Sequence, residues 1–253
     1  HMGIWGVALA TVVSQAVSFV YCAVALRSLP FAMPRRADYA LDLKTVKRLL
    51  SLGVPPLLRD GVVAVGGLFI QTVINGFGVA FIAGTTAARR YFSMLEMVGA
   101  ALEGALATFV AQNAGAKQPE RIALGTRAAV IVAMVASMVT AAAAFLLAGP
   151  LIGLFVAQAE EEVLRVGVEA LRVTALFLPV LYLLYLYRAA LQGMGDTVTP
   201  MLSGFAELLL RIVCVLLLPP LLGRWGVYTA DAVGWVGAAA LLTAVYHARK
   251  AKA

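Results

Sequence analysis

Residues 89–121 read RRYFSMLEMVGAALEGALATFVAQNAGAKQPER, and this stretch decides the fold. It is apolar enough to sit in a bilayer, yet it carries Arg89, Glu96 and Glu103 at intervals of seven residues. Seven residues are nearly two helical turns, so the three charges share one face of a single helix. The stretch closes on a small, polar, basic turn, Gln112-Asn113-Ala114-Gly115-Ala116-Lys117. An ionisable side chain at mid-bilayer costs about 2.5–3.5 kcal/mol on insertion scales and faces the bundle interior or a water-filled cavity. Such a stripe points to transport.

The rest of the chain agrees with a membrane setting. Of its 253 residues, 62% are hydrophobic and only 13% are charged, with a mean hydropathy of +0.92. A soluble globular chain is about half apolar and about a quarter charged, so a water-soluble core is excluded. A spanning helix needs about 20 mostly apolar residues. Seven such segments are legible, at 4–29, 52–77, 79–112, 122–148, 163–191, 198–222 and 227–247. Pro30 and Pro34, Gly76 and Gly78, Pro119, Pro150 and Gly153, Gly193 to Asp196, and Pro219-Pro220 punctuate them. The first segment is no convincing signal peptide: no Lys or Arg precedes it, and its apolar run is too long.

The net charge of +7 is topological. Basic residues gather after the first span (Arg27, Arg35, Arg36, Lys44, Lys47, Arg48), after the third (Lys117, Arg121, Arg127) and in the tail (Arg249, Lys250, Lys252). The intervening turns are poor in them. Odd-numbered spans therefore end in the cytoplasm, as does the C-terminus. Charge clustered in alternate loops argues against a nucleic-acid partner. Cys22 and Cys214 lie in apolar segments away from metal-ligand spacing, and the two histidines, His1 and His247, sit at segment edges. No metal site and no cofactor is expected.

Other intramembrane charges have two readings each. Glu207 and Arg211, spaced i, i+4 with the acid first, form a structural ion pair or contact substrate. Asp60 opens a small, polar face on the second span that continues through Ala64, Gly67, Gln71 and either Ile74 or Asn75. That face suits a cavity wall or close approach of another helix. Arg59, its sequence neighbour, is expected to point elsewhere. Residues 38–50 read either as a short helix lying on the inner leaflet or as a plain cytoplasmic linker. Tyr182, Tyr185 and Tyr187 suit an interfacial aromatic belt, and Pro179 upstream can kink the fifth span.

Four pieces of the chain, in order and spacing, resemble the multidrug and toxic compound extrusion (MATE) transporters. The run Phe109 to Ala116 with Glu120-Arg121 is similar to the turn after that family's eighth helix. Gln192-Gly193-Met194-Gly195-Asp196-Thr197 through Pro200-Met201, then Glu207 and Arg211, resembles its tenth-to-eleventh region. Gly3 to Thr11 with Ser14-Gln15 resembles the start of its sixth helix, and Gly53-Val54-Pro55 with Ile74 to Gly78 its seventh. The family has twelve helices in two six-helix bundles. This chain looks like the sixth helix (1–29), a basic inter-lobe loop (30–51), the second bundle (52–247) and a cytoplasmic tail (248–253). Seven spans with an external N-terminus fit a piece of such a carrier better than a whole one.

The resemblance implies export of small organic cations or drugs by alternating access, coupled to H+ or Na+, across a bacterial plasma (inner) membrane. The missing N-terminal lobe is then an implied partner, besides the lipid bilayer. Asp60, Glu96 and Glu103 are the expected coupling or substrate-attracting acids, with Arg89 tuning them, Gln71 and Asn75 beside them, and Glu207–Arg211 bracing the lobe. Asp60 is the only acid on the span matching the family's seventh helix, and the matching tenth has none near its middle, so sodium coupling through those two helices is incomplete here. Rival readings are a lipid-linked oligosaccharide flippase of the same superfamily, which favours a larger and more basic cavity, and a non-transporting membrane fragment. An intramembrane enzyme lacks support: there is no HExxH, no aspartate-rich pair and no internal histidine.

Overall fold

A computed structural model describes residues 3–27, 42–155 and 161–250. Among them run eight helices and no strand: α1 (Gly3–Arg27), α2 (Leu43–Asn75), α3 (Val79–Gly115), α4 (Pro119–Phe155), α5 (Glu161–Leu176), α6 (Leu178–Gly193), α7 (Val198–Leu222) and α8 (Arg224–Lys250). Six are long and apolar enough to cross a membrane, and α5 with α6, bent by 46°, makes a seventh span. The all-helical, seven-span expectation holds.

The chain divides into two compact units, 1–49 and 50–253. In the first, α1 is apolar on every side, with Trp5, Phe19 and Tyr21 exposed as on a lipid-facing helix. In the second, α7 pairs closely with α8, α3 packs on α4, α5 and α6, and α6 bridges α4 to α8. Two apolar cores result. One centres on Leu106, Leu178, Tyr182, Leu191 and Leu242. The other centres on Ile70, Phe81, Ile152, Leu171 and Val215.

Several boundaries differ from those expected. Residues 43–51 are neither loop nor separate surface helix but the first turns of α2, started by Asp42, whose carboxylate accepts from the Lys44 and Thr45 amides at 3.1 Å each. Residues 38–41 lie outside the described residues. α4 runs past Pro150 to Phe155, and α7 past Pro219-Pro220 to Leu222. The fifth span is broken outright at Phe177. Pro179 stands in the first turn of α6, where its missing N–H leaves no carbonyl unserved.

Two turns at corresponding helix ends share one geometry. After α3, Gln118 donates its amide to the Asn113 carbonyl and Lys117 to Ala114. After α6, Asp196 donates to Leu191 and Gly195 to Gln192. These are Schellman closures, which need a left-handed residue just past the helix. Gly195 takes it at φ 87° and Lys117, without a glycine's freedom, at φ 54°. Asp196 then accepts from the Thr199 amide at 3.0 Å to start α7, and pairs with Arg249 of α8 at 2.7 Å.

Candidate functional site

The charged stripe of α3 looks into a cavity of about 510 Å³ walled by α2, α3, α6, α7 and α8. Arg89, Glu96 and Glu103 all line it, as the seven-residue spacing demanded. α3 is 37 residues long, about 55 Å at 1.5 Å per residue, and Glu96 stands near its midpoint. The opposite walls add Arg59 and Asp60 from α2, Tyr185 and Arg188 from α6, Glu207 and Arg211 from α7, and Asp231 and Trp235 from α8. Four arginines thus face five carboxylates.

Most of these charges are paired. Arg59 Nη2 lies 2.6 Å from Asp60 Oδ1. The expectation that these neighbours point apart is overturned, because the long guanidinium stem folds back along α2 to reach the short carboxylate. Gly204 of α7 gives that stem room: a Cβ there would stand 2.6 Å from Arg59 Cγ. Glu103 pairs across helices with Arg188 at 3.9 Å. Arg188 also lies over the Tyr185 ring, 5.3 Å from its centroid.

Glu207 and Arg211 are bonded at 2.6 Å within α7, and Arg211 Nε is 3.2 Å from Asp231 of α8. Asp231 makes the pair a triad. Glycines on both sides admit the arginine: a Cβ on Gly234 would meet Arg211 Cγ at 3.0 Å, and one on Gly66 its Cδ at 3.4 Å. Gly66 of α2 leaves room for the Leu208 and Arg211 side chains of α7, and Gly67 lines the cavity.

Glu96 differs from the other acids. Its Oε1 accepts from the Tyr185 hydroxyl at 2.9 Å, and no cation lies within ion-pair distance of it among the described residues. Tyr185 is placed by a close approach of α6 to α3. At Gly99, a Cβ would stand 2.8 Å from the Tyr182 ring and 3.1 Å from the Tyr185 ring. Tyr182 is fully buried and donates to the Leu95 carbonyl at 2.7 Å. The aromatic-belt reading of these tyrosines is corrected: they belong to the bundle interior. Phe92 and Trp235 stack at 5.4 Å and 9° along the same wall.

Two expected site residues fall elsewhere. Gln71 donates to Asn75 at 2.9 Å further along α2, and neither lines the cavity. α2 turns its buried ridge, Gly66, Ile70 and Ile74, toward the bundle and leaves Gln71 half-buried and Asn75 exposed beside it. Arg89 lines the cavity but pairs with no carboxylate among the described residues, so it tunes no acid by direct contact. Arg188 and Asp231 were missed by sequence reading. Each is a single charge in an apolar run, LYRAALQG and TADAVGW, and that isolation was the available signal.

The described residues define a polytopic, integral membrane protein whose helices enclose a charged cavity. The chain belongs to the MatE family, whose profile matches residues 61–217. It is 28% identical over 125 residues to the probable multidrug resistance protein YpnP of Bacillus subtilis (strain 168), a match covering 48% of this chain and 27% of that protein. The probable multidrug resistance protein YoeA of the same organism is 29% identical over 125 residues, with the same coverage. Among solved structures, a MOP superfamily transporter from Pyrococcus furiosus superposes with a TM-score of 0.87 at 19% identity, covering 99% of this chain and 57% of that one. That transporter is described as having a binding pocket of reverse polarity, suggesting a different function. The Vibrio cholerae MATE transporter VcmN gives 0.86 at 19% identity, covering all of this chain and 57% of that one. The chain therefore spans little more than half the length of the solved transporters whose fold it shares.

Proposed function

We propose that this chain is one lobe of a secondary multidrug exporter that exchanges small organic cations for H+ or Na+ by alternating access across a bacterial plasma membrane. The observation that carries the reading is the cavity itself: five acids and four arginines gathered inside an apolar bundle. Arg59, Arg188 and Arg211 are each engaged by carboxylates. The surplus of negative charge suits a cationic guest, and the stacked Phe92 and Trp235 offer it a flat apolar wall. Acids outnumbering arginines favours this reading over a flippase with a basic cavity. In this reading a second lobe, of the kind that the unmatched part of the longer solved transporters leaves room for, is what this one would rock against.

In this reading Asp60, Glu96 and Glu103 draw the cation in, and Glu207–Arg211 braces the lobe. Gln71 and Asn75, paired away from the cavity, take no part. The test is efflux of a lipophilic fluorescent cation from cells expressing the carrier. Glu96→Gln and Glu103→Gln are each expected to lower efflux several-fold at unchanged membrane expression. Undiminished efflux in both single variants and in the double variant overturns the assignment.

A further inference from the structure

A second, much smaller chamber adjoins the charged cavity. It holds about 60 Å³ between α3, α5 and α8, and it shares Arg89, Phe92, Asp231 and Trp235 with the cavity wall. Thr85 of α3, Thr174 of α5 and Tyr228 of α8 complete its polar lining. A drug-sized ligand fills a site of about 300–1,000 Å³, whereas one water needs only about 10–15 Å³ of such space. The chamber therefore suits a few waters and excludes an organic guest. Its hydroxyls suit water as well. Thr85 donates to the Phe81 carbonyl at 2.7 Å and Thr174 to the Ala170 carbonyl at 2.9 Å, so each keeps its oxygen as an acceptor.

The chamber leads toward the end of the bundle where α2 turns into α3. There a recess of about 330 Å³ is lined by Phe77, Phe81, Glu162, Val166 and Arg224. Between recess and chamber stand the rings of Phe81 and Tyr228, stacked at 5.6 Å and 14°. Tyr228 is 4% exposed, so the stack is shut in this structure. Its hold is loose. The Tyr228 hydroxyl donates to Glu169 Oε2 at 3.5 Å, and the same oxygen meets Arg224 Nε, on the recess wall, at 3.4 Å. Both contacts lie at the long edge of polar bonding. The seam between α3 and α5 is sealed by contrast. A Cβ at Gly84 would stand 2.7 Å from the Val163 carbonyl oxygen, and one at Gly167 2.8 Å from Ile152 Cγ2. Opening is left to the α8 side, where Tyr228 sits.

We propose that the space between α3, α5 and α8 is a side passage for water and small inorganic cations between the recess and the charged cavity, with Tyr228 as its gate. A swing of Tyr228 off Phe81, releasing Glu169, joins the three spaces along about 12 Å of α3, from Phe81 to Arg89. Carboxylates stand at both ends, Glu162 and Glu169 at the recess and Asp231 at the cavity, with Arg224 and Arg89 beside them. Organic guests are too large for this passage and enter the cavity by another route. The cavity thus exchanges water and ions without opening to its guest. The proposal is independent of which guest the cavity takes.

The experiment uses the purified full chain in lipid nanodiscs, with Cys22 and Cys214 replaced by serine. Thr174→Cys then places one thiol in the chamber, and silver ion in chloride-free buffer probes it. Silver bound to the thiol is read as protection from maleimide after denaturation. Silver should protect Thr174→Cys, whereas the bulkier methanethiosulfonate ethyltrimethylammonium should not. Tyr228→Phe, which removes the latch and keeps the ring, should raise the silver rate several-fold, and Tyr228→Ala should raise it further. Ala80→Trp, which fills the recess, should lower it several-fold. Ala100→Cys, in the cavity wall, is the reference: its silver rate should be the same in every background, as an intact bundle requires. Should Tyr228→Ala disturb that reference, Tyr228→Phe and Ala80→Trp decide. A Thr174→Cys rate indifferent to both overturns the proposal, because silver then enters from the cavity. So does a thiol that silver never reaches, or one that the bulky reagent modifies equally well with Tyr228 in place.

Discussion

At the scale of single residues, the cavity depends on side chains that small neighbours admit. Gly99 lets Tyr182 and Tyr185 lie flat on α3, with no room for a methyl group. Gly99→Ala is expected to cost about 1–3 kcal/mol through overpacking, because the buried Tyr182 cannot swing aside. It should also move the Tyr185 hydroxyl off Glu96. A lowered thermal midpoint in detergent, together with the loss of efflux that Glu96→Gln gives, checks both halves. Arg211 raises the opposite issue. Its removal leaves Glu207, 3% exposed, without a partner. Breaking a buried pair from one side costs about 3–5 kcal/mol, whereas replacing all members together is close to neutral. Arg211→Gln should therefore be strongly destabilising, and the triple change with Glu207→Gln and Asp231→Asn should recover most of the lost thermal midpoint.

At the scale of elements, helix ends and breaks carry the local information. Asp42 caps α2 through the Thr45 side chain and the Lys44 and Thr45 amides. The Thr45 hydroxyl first, and then the two amides, hold its carboxyl below the usual carboxylate range. A group whose pKa is lowered on folding contributes its stability above its unfolded pKa and loses it as pH falls through the lowered value. Acidification through that range should thus fray the first turn of α2, and Asp42→Ala should fray it already at neutral pH with no further change on acidification. Amide chemical shifts of Lys44 and Thr45 report both. The break at Phe177 matters for the site because it lets α6 change direction. Proline at 179 was legible as a kink; that the span splits into two helices at 46° was not, since the angle depends on how Phe177 packs against both apolar cores and Leu178 into the first.

At the scale of the whole molecule, topology rests on where the basic residues lie. Lys117, in the turn between α3 and α4, belongs to a basic set assigned to the cytoplasm, and Glu162, at the start of α5, to the opposite side. With Cys22 and Cys214 replaced by serine, Lys117→Cys should react with a membrane-impermeant maleimide only from the cytoplasmic face. Glu162→Cys should react only from the other. Labelling of both from one side refutes the orientation.

The seven spans and the inward face of Glu96 and Glu103 are written in the chain, because apolar length and helical period are local properties of the backbone. The family match over residues 61–217 takes in the motifs at 109–121 and 192–211. The pairing of the charges is not local. Asp231 joins Glu207 and Arg211 from another helix, Arg188 takes Glu103, and Gln71 and Asn75 turn to each other. Those choices follow from which helix faces lie within a guanidinium's reach, and that distance is set by glycines 66, 99, 204 and 234 only once the bundle closes. The stripe could therefore be read from 89–121 alone, whereas the isolation of Glu96 among paired acids belongs to the tertiary structure.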